Sequence, residues 1–127
     1  MTDPFLVTVV DDDPAVRSSL SFSLGIAGFR VQAFASGEAA LGDAGARSSD
    51  CLVLDYRLPG IDGLCLLRRL REVGVDCPAI VITSNPPRQL RREIDKAGAR
   101  LVEKPLLSNS LARAIAALNG RSQSAAQ

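Results

Sequence analysis

The sequence predicts a single α/β domain in which helices cover both faces of a five-stranded parallel sheet. Strand-like apolar runs alternate with helix-like segments about five times, which is the pattern of a doubly wound sheet. The run from Cys51 to Asp55 is apolar until its last residue, as expected for a strand buried on both faces. With 127 residues, 46% of them hydrophobic, the chain can form one compact core.

Apolar spacing and turn residues mark the first strand and the first helix. Leu6 to Val10 is the first strand, and Pro14 suits the first turn of the helix that follows. The apolar face of this helix consists of Val16, Leu20, Leu24 and Ala27. Gly28 is expected to end it.

The second strand and the second helix have weaker signals. Phe29 to Phe34 alternates as a short strand, and Ser36 can cap a helix with Glu38 in its first turn. We expect this helix to run to about Arg47, although glycine and alanine make it weak.

The third strand ends in Asp55, because the following Leu58-Pro59-Gly60 forces a turn. Asp62 can cap the third helix. The predicted buried stripe of this helix is Leu64, Leu67 and Leu70, and its predicted solvent face carries Arg68, Arg69 and Arg71.

The fourth strand runs from Ala79 to Ile82, and Pro86-Pro87 can begin the helix after it but cannot lie inside that helix. This fourth helix is strongly basic, with Arg88, Arg91, Arg92 and Lys96. Its core stripe is Leu90, Ile94 and Ala97. Gly98 has the position of the residue just beyond a helix end.

Leu101-Val102 is a very short fifth strand, and Ser108 can cap a last helix that is expected to end at Asn119-Gly120. The apolar positions of that helix are Leu111, Ala114, Ile115 and Leu118. We therefore expect one domain over residues 1–120, and a disordered polar tail or the start of a linker over residues 121–127.

Composition excludes several classes of protein. Fifteen basic and fourteen acidic residues give a net charge of +1, which does not favour direct binding of nucleic acid or of an acidic membrane. No run approaches the roughly 18 apolar residues of a membrane span. The cysteines lack metal-site spacing and predict reduced thiols in a cytoplasmic protein; they are Cys51, Cys65 and Cys77.

Polar side chains follow several of the predicted strands. The carboxyl ends of parallel strands meet at one edge of a sheet, so these residues are expected to converge: Asp11, Asp12, Asp55, Thr83 and Lys104. Three neighbouring carboxylates need a cation, and Mg2+ prefers hard oxygen ligands shared with a phosphate. Asp55 can then act as a nucleophile toward phosphorus and form an aspartyl phosphate, with Lys104 and Thr83 contacting the phosphoryl oxygens.

Each of these residues also has a plain structural interpretation. Asp13 is better explained as a helix-starting residue than as a metal ligand, and the three consecutive aspartates could be a solvated capping cluster. Asp55 could simply begin a turn, Thr83 could be a β-branched strand end, and Lys104 a surface charge.

Five short motifs together resemble the receiver domain of two-component response regulators. They are Val-Val-Asp-Asp-Asp at 9–13, the run from Leu54 to Gly63, Val-Ile-Thr at 81–83, Lys-Ala-Gly-Ala at 96–99 and Glu-Lys-Pro at 103–105. Their order and spacing match that family from about residue 5 to residue 119. The resemblance implies a (βα)5 flavodoxin-like receiver fold.

The resemblance also implies roles for particular residues. Asp11 and Asp12 correspond to the acidic pair that holds Mg2+, together with Asp55 and the backbone carbonyl of Arg57 as further metal ligands. Asp55 is the implied phosphoacceptor. Thr83 and Lys104 are implied to contact the phosphate, and Pro105 corresponds to a proline typically found in a cis peptide.

The implied function is a phosphorelay step rather than turnover catalysis. The chain has no histidine, so the phosphoryl group must come from a partner histidine kinase, a phosphotransfer protein or a small donor such as acetyl phosphate. A homodimer through the fourth helix, fifth strand and fifth helix is a further implied interaction. The phrase from Leu54 to Gly60 resembles the nitrogen-fixation regulator branch, whose members carry a C-terminal helix-turn-helix.

Two departures from the family pattern keep an alternative open. Leu101 stands where many receivers have Phe or Tyr, and Pro86-Pro87 makes the loop after Thr83 stiff. A non-phosphorylated pseudo-receiver that acts as a protein-binding module would fit these two features. An aspartyl-phosphate hydrolase fits less well, since Asp11-Asp12-Asp13 is followed by Pro14 and not by the threonine that such a site needs.

Overall fold

In the computed structural model, which describes residues 5–106 and 110–126, five parallel strands form one sheet in the order β2-β1-β3-β4-β5. The strands are β1 (Leu6–Val10), β2 (Arg30–Phe34), β3 (Cys51–Asp55), β4 (Ala79–Thr83) and β5 (Arg100–Glu103). The helices are α1 (Pro14–Ile26), α2 (Gly37–Leu41), α3 (Gly63–Glu72), α4 (Arg88–Lys96) and α5 (Ser110–Ala126). The doubly wound fold predicted from the alternation of strands and helices is confirmed.

The three central strands are buried along their whole length, whereas the edge strands β2 and β5 are partly exposed. This difference explains why β1, β3 and β4 are apolar apart from Thr8 and the strand-end residues Asp55 and Thr83. The register brings Asp55 of β3 opposite Ile82 of β4, and Thr83 opposite Glu103 of β5. The strand ends that carry polar residues therefore lie side by side at one edge of the sheet.

Helices on the two faces of the sheet enclose two hydrophobic clusters. Leu52, Leu54 and Val81 point toward α2, α3 and α4, where they pack with the leucines of α3. A second set of strand side chains points the other way and packs with α1 and α5: Val7, Val9, Cys51, Val53, Ile80 and Ile82. Each fully buried Leu, Ile or Val contributes about 1.5–3 kcal/mol through burial, so the two clusters stabilise the sheet from both faces.

The predicted helix caps are confirmed where the structure describes them. Asp13 accepts from Ala15 N at 2.9 Å, Ser36 from Ala39 N at 3.1 Å and Asp62 from Cys65 N at 2.8 Å. The fourth helix begins after Pro87, which offers no side-chain cap. Ser108 lies outside the described residues.

Three expectations about helices were wrong. The second helix does not run to Arg47, because Gly42 ends it and Asp43 caps a separate 3-10 helix (Ala44–Ser48). The last helix does not end at Asn119-Gly120; its backbone stays helical to Ala126, since alanine, arginine and glutamine, which make up four of residues 121–126, favour helix. Arg71 was expected on the solvent face of the third helix, but it is half-buried. Its Nη1 donates to the carbonyls of Val75 and Cys77 at 3.0 and 2.7 Å.

Within the described residues, none of the helices combines the length and the apolar character needed to cross a membrane.

Candidate phosphoacceptor and metal site

Three aspartates meet at the carboxyl edge of the sheet. Asp11 and Asp12 directly follow β1, and Asp55 is the last residue of the neighbouring strand β3. One carboxylate oxygen from each lies within 4.8 Å of the other two. Asp11 and Asp55 are buried, whereas Asp12 is exposed, so the cluster is anchored in the protein and open on one side.

The loop between β1 and α1 holds Asp11 firmly. Its amide donates to the Phe34 carbonyl at 3.1 Å, and its Oδ1 accepts from the Asp13 amide at 2.9 Å. The Arg17 guanidinium donates to the Asp11 carbonyl at 2.8 Å. Asp13 itself caps α1, as the sequence predicted, and stays outside the acidic cluster.

Burial raises the pKa of the Asp11 carboxyl above its ordinary value of 3.8. The hydrogen bond from the Asp13 amide opposes this rise, and the negative charge of Asp55 adds to it. The ionised Asp11 carboxylate is therefore costly in the protein by itself, and a cation among the three aspartates would lower that cost.

Asp55 is fixed by one contact at each carboxylate oxygen. The Arg57 amide donates to Oδ1 at 3.1 Å, and the Lys104 ammonium forms an ion pair with Oδ2 at 3.2 Å. The Asp55 side chain is 5% exposed and that of Lys104 is 34% exposed. Lys104 thus reaches from the solvent edge to the buried carboxylate.

Thr83 and Lys104 are brought together by the pairing of β4 and β5. The Lys104 amide donates to the Thr83 carbonyl at 2.9 Å, and Thr83 is buried at the end of β4. The Lys104-Pro105 peptide bond is cis, as the resemblance implied. All five polar residues predicted to converge therefore lie at one edge of the sheet.

The donor set fits a hard divalent cation. Carboxylate oxygens of Asp11, Asp12 and Asp55 are the ligand type that Mg2+ takes, and this ion usually keeps several waters and shares its shell with a phosphate oxygen. The Arg57 amide bonds Asp55 Oδ1, so Arg57 lies in the loop that directly follows β3; the metal-ligand role of its carbonyl stays a prediction.

Two contacts at the site were not predicted from the sequence. Arg17 lies on α1 and contacts the Asp11 carbonyl, and Gly63 begins α3 against the main chain of Asp55. A Cβ at position 63 would lie 2.9 Å from the Asp55 carbonyl carbon and 3.0 Å from Tyr56 Cα. Neither contact has a local sequence signal, because both depend on the packing of a helix against a strand end.

Comparisons with known proteins agree with this geometry. A family model described as the response regulator receiver domain matches residues 7–116. The transcriptional regulatory protein FixJ of Rhizobium meliloti (strain 1021) is 40% identical over 116 residues, which are 91% of this chain and 56% of that protein. FixJ of Azorhizobium caulinodans is 40% identical over 124 residues, which are 96% of this chain and 58% of that protein.

The fold comparison gives the same family. The BeF3-activated receiver domain of DrrB from Thermotoga maritima matches with a TM-score of 0.82 at 28% identity, covering 93% of this chain and 99% of that one. The chain spans just over half the length of the two FixJ proteins. By motif, fold and sequence similarity, the chain belongs to the response regulator receiver domains of two-component systems, in a branch similar to the nitrogen-fixation regulators.

Proposed function

We propose that this receiver domain accepts a phosphoryl group on Asp55 from a phosphohistidine of a partner kinase or phosphotransfer protein. The observation that carries the proposal is the buried Asp55 carboxylate, held between Lys104 and two further aspartates. An Asp55 oxygen attacks phosphorus as the phosphorus–nitrogen bond of the donor breaks. The donor imidazole leaves with the electron pair, and Asp55 becomes an aspartyl phosphate.

The surrounding residues have separate tasks in this proposal. Asp11, Asp12, Asp55 and the Arg57 carbonyl hold Mg2+, which when bound offsets the negative charge of the incoming phosphoryl group. Lys104 releases Asp55 Oδ2 and contacts a phosphoryl oxygen, and the Thr83 hydroxyl donates to another. The domain promotes its own phosphorylation and dephosphorylation, and it does not turn over a small substrate.

The phosphorylated domain acts by changing its protein interactions. We infer that a homodimer face lies on α4, β5 and α5, because α4 and β5 expose residues of both charges that two copies could pair, such as Arg92 with Glu103 and Asp95 with Arg100. The FixJ proteins are named transcriptional regulators, so the proposed output is control of transcription by a longer protein.

The free thiols of all three cysteines favour a cytoplasmic location.

Intact-mass spectrometry tests the proposal directly. Wild type incubated with Mg2+ and acetyl phosphate is expected to gain one phosphoryl group, and Asp55→Asn is expected to gain none. Asp76→Asn, an exposed aspartate outside the acidic cluster, is the matched control and should be modified like wild type. Unmodified wild type at saturating donor, or modified Asp55→Asn, would refute the proposed phosphoacceptor.

A further inference from the structure

Arg17 contacts the main chain of the acidic site and not one of its carboxylates. It lies in α1, is half-buried, and its Nη1 donates to the main-chain carbonyl of Asp11 at 2.8 Å. Asp11 is the first residue beyond β1. Its carbonyl therefore lies past the end of the strand, where a buried acceptor needs a donor from elsewhere in the protein.

The guanidinium does not pair with any aspartate of the site. Within the residues that the structure describes, the ion pairs are Lys104 with Asp55 and Arg91 with Glu103. A guanidinium bonded to the carboxylates of Asp11 or Asp12 would occupy the oxygens that a cation needs. Because Arg17 bonds the main chain instead, it holds the strand end while leaving these oxygens free.

The contact completes a set of three that immobilises Asp11. The other two are the bond from the Asp11 amide to Phe34 and the bond from the Asp13 amide to Asp11 Oδ1. An aspartate side chain has only two rotatable bonds, so the position of its main chain largely decides where its carboxylate lies. The carbonyl of Asp11 belongs to the same peptide unit as the amide of Asp12, so Arg17 constrains both aspartates.

We propose that Arg17 is a positioning residue that presets Asp11 and Asp12 for divalent cation binding. The inference rests on the proposed function, because it assumes that these aspartates hold Mg2+. Partners that orient metal ligands typically affect metal affinity by about 10- to 100-fold. We therefore expect Arg17→Ala to weaken Mg2+ binding by about tenfold, the lower end of that range.

Mg2+ titration followed by tyrosine fluorescence tests this role without any phosphoryl transfer. The chain has one tyrosine and no tryptophan, and that tyrosine, Tyr56, directly follows Asp55. Arg71→Ala is the matched control, because Arg71 is also half-buried and also donates to main-chain carbonyls, but in the loop between α3 and β4. Urea unfolding of each variant measures the loss of stability separately.

The expected result is weaker Mg2+ binding in Arg17→Ala and unchanged binding in Arg71→Ala, whatever the two unfolding midpoints are. Unchanged or tighter binding in Arg17→Ala would overturn the inference, as would equal weakening in both variants. If Arg17→Ala does not fold, Arg17→Lys and Arg71→Lys decide it, with weaker binding expected only in Arg17→Lys. If wild type does not bind Mg2+, the proposed metal site is refuted as well. If wild type binds Mg2+ and Arg17→Ala binds it equally well, only the proposed role of Arg17 is refuted.

Discussion

The Asp11 carboxyl has a pKa that is raised by burial and by the charge of Asp55. Between the ordinary pKa of 3.8 and the raised value, the folded state binds more protons than the unfolded state. The favourable contribution of the protonated Asp11 carboxyl to stability is thus fully present below pH 3.8. It is lost as pH rises through the pKa of the folded state. Above the pKa of the folded state, the ionised Asp11 is expected to destabilise the metal-free protein.

Asp11→Asn should therefore stabilise the protein in EDTA at pH 7, by about 1 kcal/mol, the size typical of single substitutions. The Asn oxygen can still accept the bond from the Asp13 amide. Urea unfolding at pH 7 and at pH 4 measures the effect, and the gain should shrink at the lower pH, because the cost of ionising the folded Asp11 is lost as pH falls toward the ordinary pKa of 3.8. A variant that is less stable than wild type at pH 7 in EDTA would contradict this account.

Two of the three cysteines are protected by their surroundings. Burial raises the pKa of Cys51 to about 12 and that of Cys77 to about 11. The thiolate is the reactive form, so both should resist iodoacetamide at pH 8 in the folded protein and react after denaturation. Peptide mass spectrometry locates the labelled residues. Rapid labelling of Cys51 in folded protein would mean that β3 is not closed as the structure has it.

At the scale of elements, the contact between α3 and β3 leaves no room for a side chain at Gly63. Gly63→Ala would press its Cβ against the Asp55 main chain, so we expect a loss of about 1–3 kcal/mol, as for other overpacked sites. Because the clash pushes on Asp55, phosphorylation by acetyl phosphate should also slow.

Gly25→Ala is a control that should change stability in the opposite direction to Gly63→Ala. Gly25 lies in α1, where an added Cβ would point into open space and meet no other part of the fold within 4 Å. Gly25→Ala should therefore raise stability by about 0.5–1 kcal/mol through helix propensity. Urea unfolding compares the two variants. Equal effects of the two substitutions would show that contact with Asp55 is not what excludes a side chain at position 63.

These elements also show which features of the fold can be predicted from the sequence. The buried strands and the caps Asp13, Ser36 and Asp62 were predictable because their signals are local. The early end of α2 was missed even though Gly42 marks it, because the 3-10 segment that follows is held by a tertiary bond from Gln32 to the Gly45 carbonyl at 2.9 Å, which no local pattern shows.

At the scale of the whole molecule, the site joins residues from four strands that are distant in sequence. Their convergence was predictable because parallel topology aligns the strand ends, so Asp11, Asp55, Thr83 and Lys104 could be assigned to one edge. The contact of Arg17 with a main-chain carbonyl was not predictable in this way. It depends on where a helical side chain reaches after α1 packs on the sheet, which no spacing rule specifies.

Mg2+ binding should stabilise the whole domain, since the unfolded chain lacks the assembled aspartates. At free Mg2+ 100 times the Kd, linkage predicts about 2.7 kcal/mol. For a chain of 127 residues this corresponds to a rise in Tm of roughly 10 °C, and EDTA should reverse it.

Asp12→Asn is the variant that tests this linkage most cleanly, because Asp12 is exposed and its loss should hardly change the metal-free protein. Thermal unfolding followed by circular dichroism should show that Asp12→Asn loses most of the Mg2+-dependent rise in Tm. NaCl at equal ionic strength controls for screening of the three carboxylates, because screening acts without a specific site. An equal rise with NaCl, or a full Mg2+ effect in Asp12→Asn, would mean that the cation does not bind among these aspartates.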